Sequence, residues 1–261
     1  MLDRVQLKYE AKAITKNARE SAYVFTLIYL AIGLALDGID YLVSGGPQVA
    51  MYNYMTEYMP EAAVYLQGTE PILHLPAMAV SFVSIVVSLV AVVLSAGYLL
   101  YTMNVRKGIV TPYVTMFDGF LFAGKVILLH IIMTIFIFLW MILFFIPGVI
   151  ASYRYRFAMY NLCDNPSIGV MEALNMSKAQ TRGHKWELFV LDLSWLGWAI
   201  LCVLTLGILN IWIMPYRTQT DIGYFEAIKQ MSGIGVQPPQ DDGEFHTDDH
   251  FGGPSDWNPE R

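Results

Sequence analysis

Between positions 126 and 146, twenty-one consecutive residues include no Asp, Glu, Lys or Arg, and only His130 and Thr134 interrupt the Ile, Leu, Phe and Met. About 20 such residues let an α-helix cross a hydrocarbon layer of roughly 30 Å, so the pattern predicts a membrane span. Runs at 22–36, extending to 43 past Asp37 and Asp40, at 77–103 and at 188–206 predict three more. A further stretch, 208–225, has Pro215 in its middle and Arg217, Gln219 and Asp221 in its second half. Ahead of all of these, Arg4, Lys8, Lys12, Lys16 and Arg19 occupy one face of a predicted helix over 3–20, with Leu7, Ala11, Ile14 and Ala18 on another. This basic amphipathic helix is expected to lie on the membrane surface.

Charge decides how the spans connect. No Lys or Arg occurs from 37 to 76, where Glu57, Glu61, Glu70 and five tyrosines gather, so that segment is expected outside. Arg106, Lys107 and Lys125 place the next connection inside. A single outward crossing at 126–146 would strand Arg154, Arg156, Lys178, Arg182 and Lys185 outside, against the positive-inside rule. The conflict disappears if Pro147 and Gly148 break the helix at the outer face and 149–162 returns as a short fourth membrane helix. Its 14 residues reach only about 21 Å, so neighbouring helices must shield it or the bilayer must thin. Asn165 is expected to cap a surface helix over 166–182 with Ile168, Met171 and Leu174 on one face, ended by Gly183. The stretch from Leu206 to Asn210 is expected to turn the fifth span into the sixth.

The reading is therefore all-α: a polytopic transmembrane bundle of six membrane helices plus inner-surface amphipathic helices. It divides into a surface helix at 1–20, the bundle at 21–232 and an acidic tail at 233–261 that is expected to be disordered. Multi-pass insertion in the cell membrane, with both termini cytoplasmic, follows from the count. The N-terminus lacks the cleavage pattern of a secretory signal, so the first span is expected to be retained.

Composition agrees: 56% of residues are hydrophobic and 15% charged, too apolar for an ordinary soluble domain. The net charge of −6 comes mostly from the 37–70 segment and the tail, and no dense basic face points to nucleic acid. Cys163 and Cys202 sit in or beside apolar runs and read as buried thiols rather than a disulfide or zinc site. Ser81, Ser84, Ser88 and Ser95 recur on one stripe of the second span, which reads as a helix-packing seam. His130 reads as a packing residue, His184 as an interfacial anchor, and His246 and His250 as part of a solvated tail. No nucleophile elbow, phosphate loop or paired-histidine motif occurs, so no catalytic residue, cofactor or metal is assigned and a non-enzymatic role is expected.

The costly groups are the ionisable ones at membrane depth. Arg154 and Arg156 would each cost roughly 2.5–3.5 kcal/mol on insertion scales, and they need acidic company. Asp192, Asp221 and Arg217 lie at comparable depth, which makes Arg154, Arg156, Asp192, Arg217 and Asp221 the candidate intramembrane polar cluster. Such a cluster either fixes helix orientation, holds a lipid headgroup or lines a pathway.

The order of landmarks carries a resemblance. Ile146-Pro147-Gly148, Ser152 to Tyr155, Asp164-Asn165-Pro166, Glu172-Ala173-Leu174 and Gly183 to Phe189 occur in sequence, followed by Leu206-Gly207-Ile208 and Pro215-Tyr216. Over roughly 5–230 the chain resembles the uncharacterised bacterial integral membrane family catalogued as domain of unknown function 975. The Pro-Gly break, the Glu-Ala-Leu helix and the Gly-basic entry to the next span are similar, more weakly, to the membrane domain attached to some glycerophosphodiester phosphodiesterases. That likeness implies an embedded accessory domain without catalytic residues. The expected role is a membrane scaffold or accessory in contact with membrane lipids or a membrane protein partner. The competing expectation is a small transporter or channel built on the Arg/Asp cluster.

Overall fold

The computed structural model describes residues 4–18, 21–44, 46, 55, 57–59 and 77–236. The described residues form ten α-helices and one 3₁₀ segment, with no strand among them. These are α1 (Arg4–Asn17), α2 (Ala22–Val43), α3 (Ala77–Arg106), the 3₁₀ segment Tyr113–Phe122, α4 (Ala123–Leu143), α5 (Phe145–Tyr155) and α6 (Ala158–Asp164). They continue with α7 (Val170–Gln180), α8 (Lys185–Leu193), α9 (Leu196–Leu204) and α10 (Asn210–Ser232). Most of the tyrosine-rich 45–76 segment and the tail beyond 236 lie outside the described residues.

Among the described residues, four stretches are long and apolar enough to cross a membrane: Ala22–Val43, Met78–Arg106, Tyr113–Leu143 and Lys185–Leu204. The expected count was six. The other two candidates, α5 with α6 and α10, fall short for different reasons. The first pair is divided into short pieces, and the second half of α10 carries Arg217, Asp221, Glu226 and Lys229. Lipid is the solvent that the long spans ask for: on α4, Phe138, Leu139 and Ile142 are 62%, 57% and 68% exposed, while only Val126 and Leu129 are buried.

The chain does double back after α4, but the break comes at Phe144, three residues ahead of Pro147. Phe144 adopts an extended backbone (φ −158°, ψ 140°), and Pro147 falls in the first turn of α5. Proline clashes with the carbonyl four residues earlier and offers no N–H to it. For Pro147 that carbonyl belongs to Leu143, the last residue of α4. The return is close: a Cβ on Gly148 would lie 2.9 Å from Met141 Cα. Further down the hairpin, the rings of Phe136 and Tyr155 sit 5.9 Å apart.

The returning arm is two helices rather than the single 149–162 helix. Arg156 and Phe157 separate α5 from α6 because side chains of α7 take over the backbone groups. Ser177 Oγ accepts from the Phe157 N–H (3.1 Å) and donates to the Arg154 carbonyl (2.9 Å), which Thr181 Oγ1 also reaches (3.3 Å). In turn α7 begins at Val170, four residues after Pro166. Asn165 Oδ1 accepts from the N–H and hydroxyl of Ser167 in a local turn, and Lys125 Nζ donates to the carbonyls of Pro166, Ser167 and Ile168 (2.6, 3.4 and 3.2 Å). The buried face of α7 is Val170, Ala173, Leu174, Ser177 and Gln180, whereas Met171 is exposed. One side of this helix therefore packs into the protein.

Two further expectations change. Ser81, Ser88 and Ser95 are exposed, Ser88 and Ser95 bond to their own helix backbone, and Ser84 donates to Asp40 on α2. The packing face of α3 is instead Val93, Ala96 and Gly97, where the 3₁₀ segment approaches so closely that a Cβ on Gly97 would sit 1.9 Å from the Met116 carbonyl oxygen. Likewise α1 is not only a surface helix: Leu7, Ala11 and Thr15 are buried where it packs along α10. The core they border, built on Leu129, Phe157, Leu162, Leu188, Ile222 and Phe225, lies where α4 to α8 meet α10.

Candidate functional site: a guanidinium–carboxylate knot beside an apolar groove

Arg156 occupies the joint between α5 and α6, Asp192 the end of α8, and Arg217 and Asp221 one face of α10 at i and i+4. The Arg156 guanidinium grips Asp192 with two hydrogen bonds, Nη1 to Oδ2 at 2.5 Å and Nη2 to Oδ1 at 3.0 Å, and Nη2 also reaches Asp221 Oδ1 at 3.1 Å. Tyr153 donates its hydroxyl to Asp192 Oδ2 (2.9 Å), and Arg217 Nη2 donates to Asp192 Oδ1 (3.3 Å). Two cations and two anions thus share one knot that ties three separate parts of the chain together. Side-chain exposure rises from Asp221 (12%) and Arg156 (15%) through Asp192 (25%) to Arg217 (46%). Arg156 makes three hydrogen bonds to the two carboxylates, whereas Arg217 spends one of its five N–H donors here and stands at the edge.

The structure therefore brings together Arg156, Asp192, Arg217 and Asp221 but not Arg154. The Arg154 carbonyl is held by α7, and its side chain makes no ion pair among the described residues. The other marked positions are ordinary. His130 is exposed on α4 rather than packed, His184 Nδ1 lies 3.5 Å from Glu187, Cys163 is buried but Cys202 only half-buried, and the described residues contain no group of three metal-ligand side chains. His246 and His250 lie outside the described residues.

Against the knot lies a cavity of about 760 Å³ between α9 and α10. Trp195, Trp198, Cys202, Val203 and Met214 line its walls, and Arg217 and Asp221 stand at its polar end. The turn that closes it uses left-handed residues at Leu206 (φ 51°) and Gly207 (φ 83°), with the Gly207 N–H on the Cys202 carbonyl (2.8 Å). The Trp195 indole is 2% exposed, and its N–H has no hydrogen-bond partner among the described residues. From the other side Lys8 of α1 places its ammonium 4.5 Å over that indole and donates to Ser194 Oγ (2.8 Å). The N-terminal helix thus touches the wall of the groove.

Sequence reasoning missed the ion pairs that lock the cationic end of the bundle. Asp164 at the end of α6 accepts from Lys107 (2.9 Å) after α3 and from Lys229 (2.5 Å) on α10. Arg106 lies flat over Gly223, where a Cβ would be 2.8 Å from Nη2, and pairs with Glu226 (2.5 Å) and, at 3.9 Å, with Glu10 of α1. The signal was present as carboxylates spaced along α6 and α10 opposite the basic end of α3.

Burial alone would raise the Asp164 pKa, but the hydrogen bonds and charges of Lys229 and Lys107 outweigh it and hold the carboxyl below its ordinary value. A carboxyl whose pKa is lower in the folded state stabilises that state above its unfolded value of about 3.9, and the contribution is lost as pH falls through the lowered value. The thermal midpoint is therefore expected to drop in the wild type as pH falls below the unfolded value of about 3.9. It should drop less steeply in Asp164→Asn; equal slopes in a pH series would remove the argument.

Residues 1–232 of the 261 match the family described as protein of unknown function (DUF975), and the chain belongs to that family. No curated protein and no solved structure matches it.

Proposed function

We propose that this member of the family is a non-enzymatic membrane accessory that seats a phospholipid in the groove between α9 and α10, with the headgroup phosphate on Arg217. The supporting observation is the position of that guanidinium: half exposed, singly bonded, and beside Asp221 at the polar end of a mostly apolar cavity. Apolar walls suit an acyl chain, and a guanidinium with free donors suits phosphate oxygens. The turn at Leu206 and Gly207 lines the groove at one end and the knot residues Arg217 and Asp221 at the other, which favours holding a lipid over passing a solute. The weaker sequence likeness to the membrane domain of glycerophosphodiester phosphodiesterases points toward the same accessory role.

In this reading α5–α6 and α10 complete the layer as shielded partial crossings beside the four long spans. Both termini then face the cytoplasm of a bacterial cell, at the end carrying Arg106, Lys107, Lys125 and Lys229. Asp37 and Asp40 mark the other face.

Mild-detergent purification followed by lipid mass spectrometry tests the proposal. Losing a charge-assisted hydrogen bond costs about 1.5–3 kcal/mol, so Arg217→Gln is expected to reduce co-purified phospholipid about tenfold or more without altering helicity. Unchanged lipid content would refute the seat, and solute flux through reconstituted protein would favour the transport alternative.

A further inference from the structure

A second cationic feature lies away from the groove, at the corner where α7 passes into α8. Nearly every other described cation of the bundle has a partner. Arg106 holds Glu226 and Glu10, Lys107 and Lys229 hold Asp164, Arg156 and Arg217 hold Asp192, and Lys125 holds three carbonyls. Arg154, Lys178, Arg182 and Lys185 form no ion pair among the described residues. The nearest carboxylate in sequence, Glu187, is engaged by Tyr224 and His184.

These four are brought to one corner by the fold. The hydroxyls of Ser177 and Thr181 anchor the Arg154 backbone to the last turn of α7. Gly183, at φ 90°, then turns the chain so that Lys185 opens α8 four residues after Thr181, whose hydroxyl holds the Arg154 carbonyl. Arg182 is exposed within the turn, and Lys178 is exposed one turn earlier. The carbonyl end of α7 favours cations nearby, but it does not neutralise four of them. Beside them Trp186 is 68% exposed and stacks on Phe189 with ring centroids 5.3 Å apart, the aromatic partner expected at headgroup depth.

We propose that this corner is a second lipid site, selective for a headgroup carrying two phosphates, as in lipids of the cardiolipin class. A single phosphate would leave most of these cations without a counter-charge, whereas two linked phosphates engage several at once, and the exposed aromatic pair lies against the glycerol and upper acyl region. Basic pockets between membrane helices bind such headgroups. The inference stands independently of the groove.

Native mass spectrometry of the full detergent-solubilised chain, titrated with cardiolipin and separately with phosphatidylglycerol, tests it. The wild type is expected to bind cardiolipin more tightly than two equivalents of phosphatidylglycerol. The double variant Arg182→Gln/Lys185→Gln should lose about tenfold or more of the cardiolipin affinity while keeping its helicity and its phosphatidylglycerol binding. Arg217→Gln, which alters the groove, should lower phosphatidylglycerol binding while a preference for cardiolipin over phosphatidylglycerol persists, so failure of one site does not imply failure of the other. Equal affinity per phosphate for the two lipids, an unaffected double variant, or displacement of cardiolipin by inorganic phosphate as effective as by lipid would each overturn the proposal.

Discussion

Arg156→Met is expected to destabilise the protein by about 3–5 kcal/mol, the usual cost of breaking a buried ion pair by removing one partner. The reason is what remains. Asp192 and Asp221 would be left facing each other in a site where their side chains are 25% and 12% exposed, with only Arg217, bound at one point, to offset two charges. Tyr153 would still donate to Asp192, but a hydroxyl does not neutralise a carboxylate. The same reasoning predicts a rescue. Arg156→Met combined with Asp192→Asn and Asp221→Asn removes the stranded charges and should recover most of the loss, since neutral replacements of buried ion clusters are often close to isoenergetic. Unfolding midpoints in mild detergent for the single and triple variants check both statements; a triple variant no better than the single would show that the knot is not an electrostatic unit.

Gly97→Ala is expected to cost at least about 1–3 kcal/mol, the range for overpacking a tight contact. The new Cβ would fall 1.9 Å from the Met116 carbonyl oxygen and 3.1 Å from Met116 Cα. Both atoms are backbone, so no side-chain rotation relieves the clash, and the whole Tyr113–Phe122 segment must move off α3. Gly119→Ala approaches from the opposite side, 2.5 Å from the Val93 carbonyl oxygen, and should behave alike. Gly124, in the first turn of α4, has nothing within 4 Å of the same ideal atom. Gly124→Ala should therefore be neutral or stabilising by up to about 1 kcal/mol through helix propensity. Thermal unfolding of the three variants compares them directly, and a Gly97→Ala protein as stable as Gly124→Ala would contradict the packing described.

The long apolar runs were legible because nothing but a membrane explains twenty-one uncharged residues, and charge counting alone demanded a reversal after them. The turn at Leu206 and Gly207 was legible for a similar reason: a glycine between two apolar stretches. The expectation that Arg156 needs acidic partners follows from the expense of a cation in an apolar layer, and the structure brings three of its four expected neighbours into the knot. Arg154 was included because the sequence places it only two residues away. Two residues on a helix point about 200° apart, so one arginine enters the knot and the other faces away; helical geometry could have separated them. The displaced break at Phe144 reflects that a proline acts on the carbonyl four residues earlier rather than at its own position. The divided α5–α6 arm depended on Ser177 and Thr181, some twenty residues downstream, and such long-range side-chain competition has no local signature. The glycine contact between α3 and the 3₁₀ segment was overshadowed by a more regular serine stripe that turned out to face outward.

The reversal at Phe144 supports all the rest, because it carries Arg156 back to meet Asp192 and Asp221. It is tested most directly by cysteine labelling in intact cells, using a chain whose Cys163 and Cys202 are replaced by Ala and which carries either Lys107→Cys or Lys178→Cys. Both positions are expected to resist a membrane-impermeant maleimide added from outside and to react once the membrane is permeabilised. Labelling of Lys178→Cys from outside, with Lys107→Cys still protected, would mean that the chain crosses without returning.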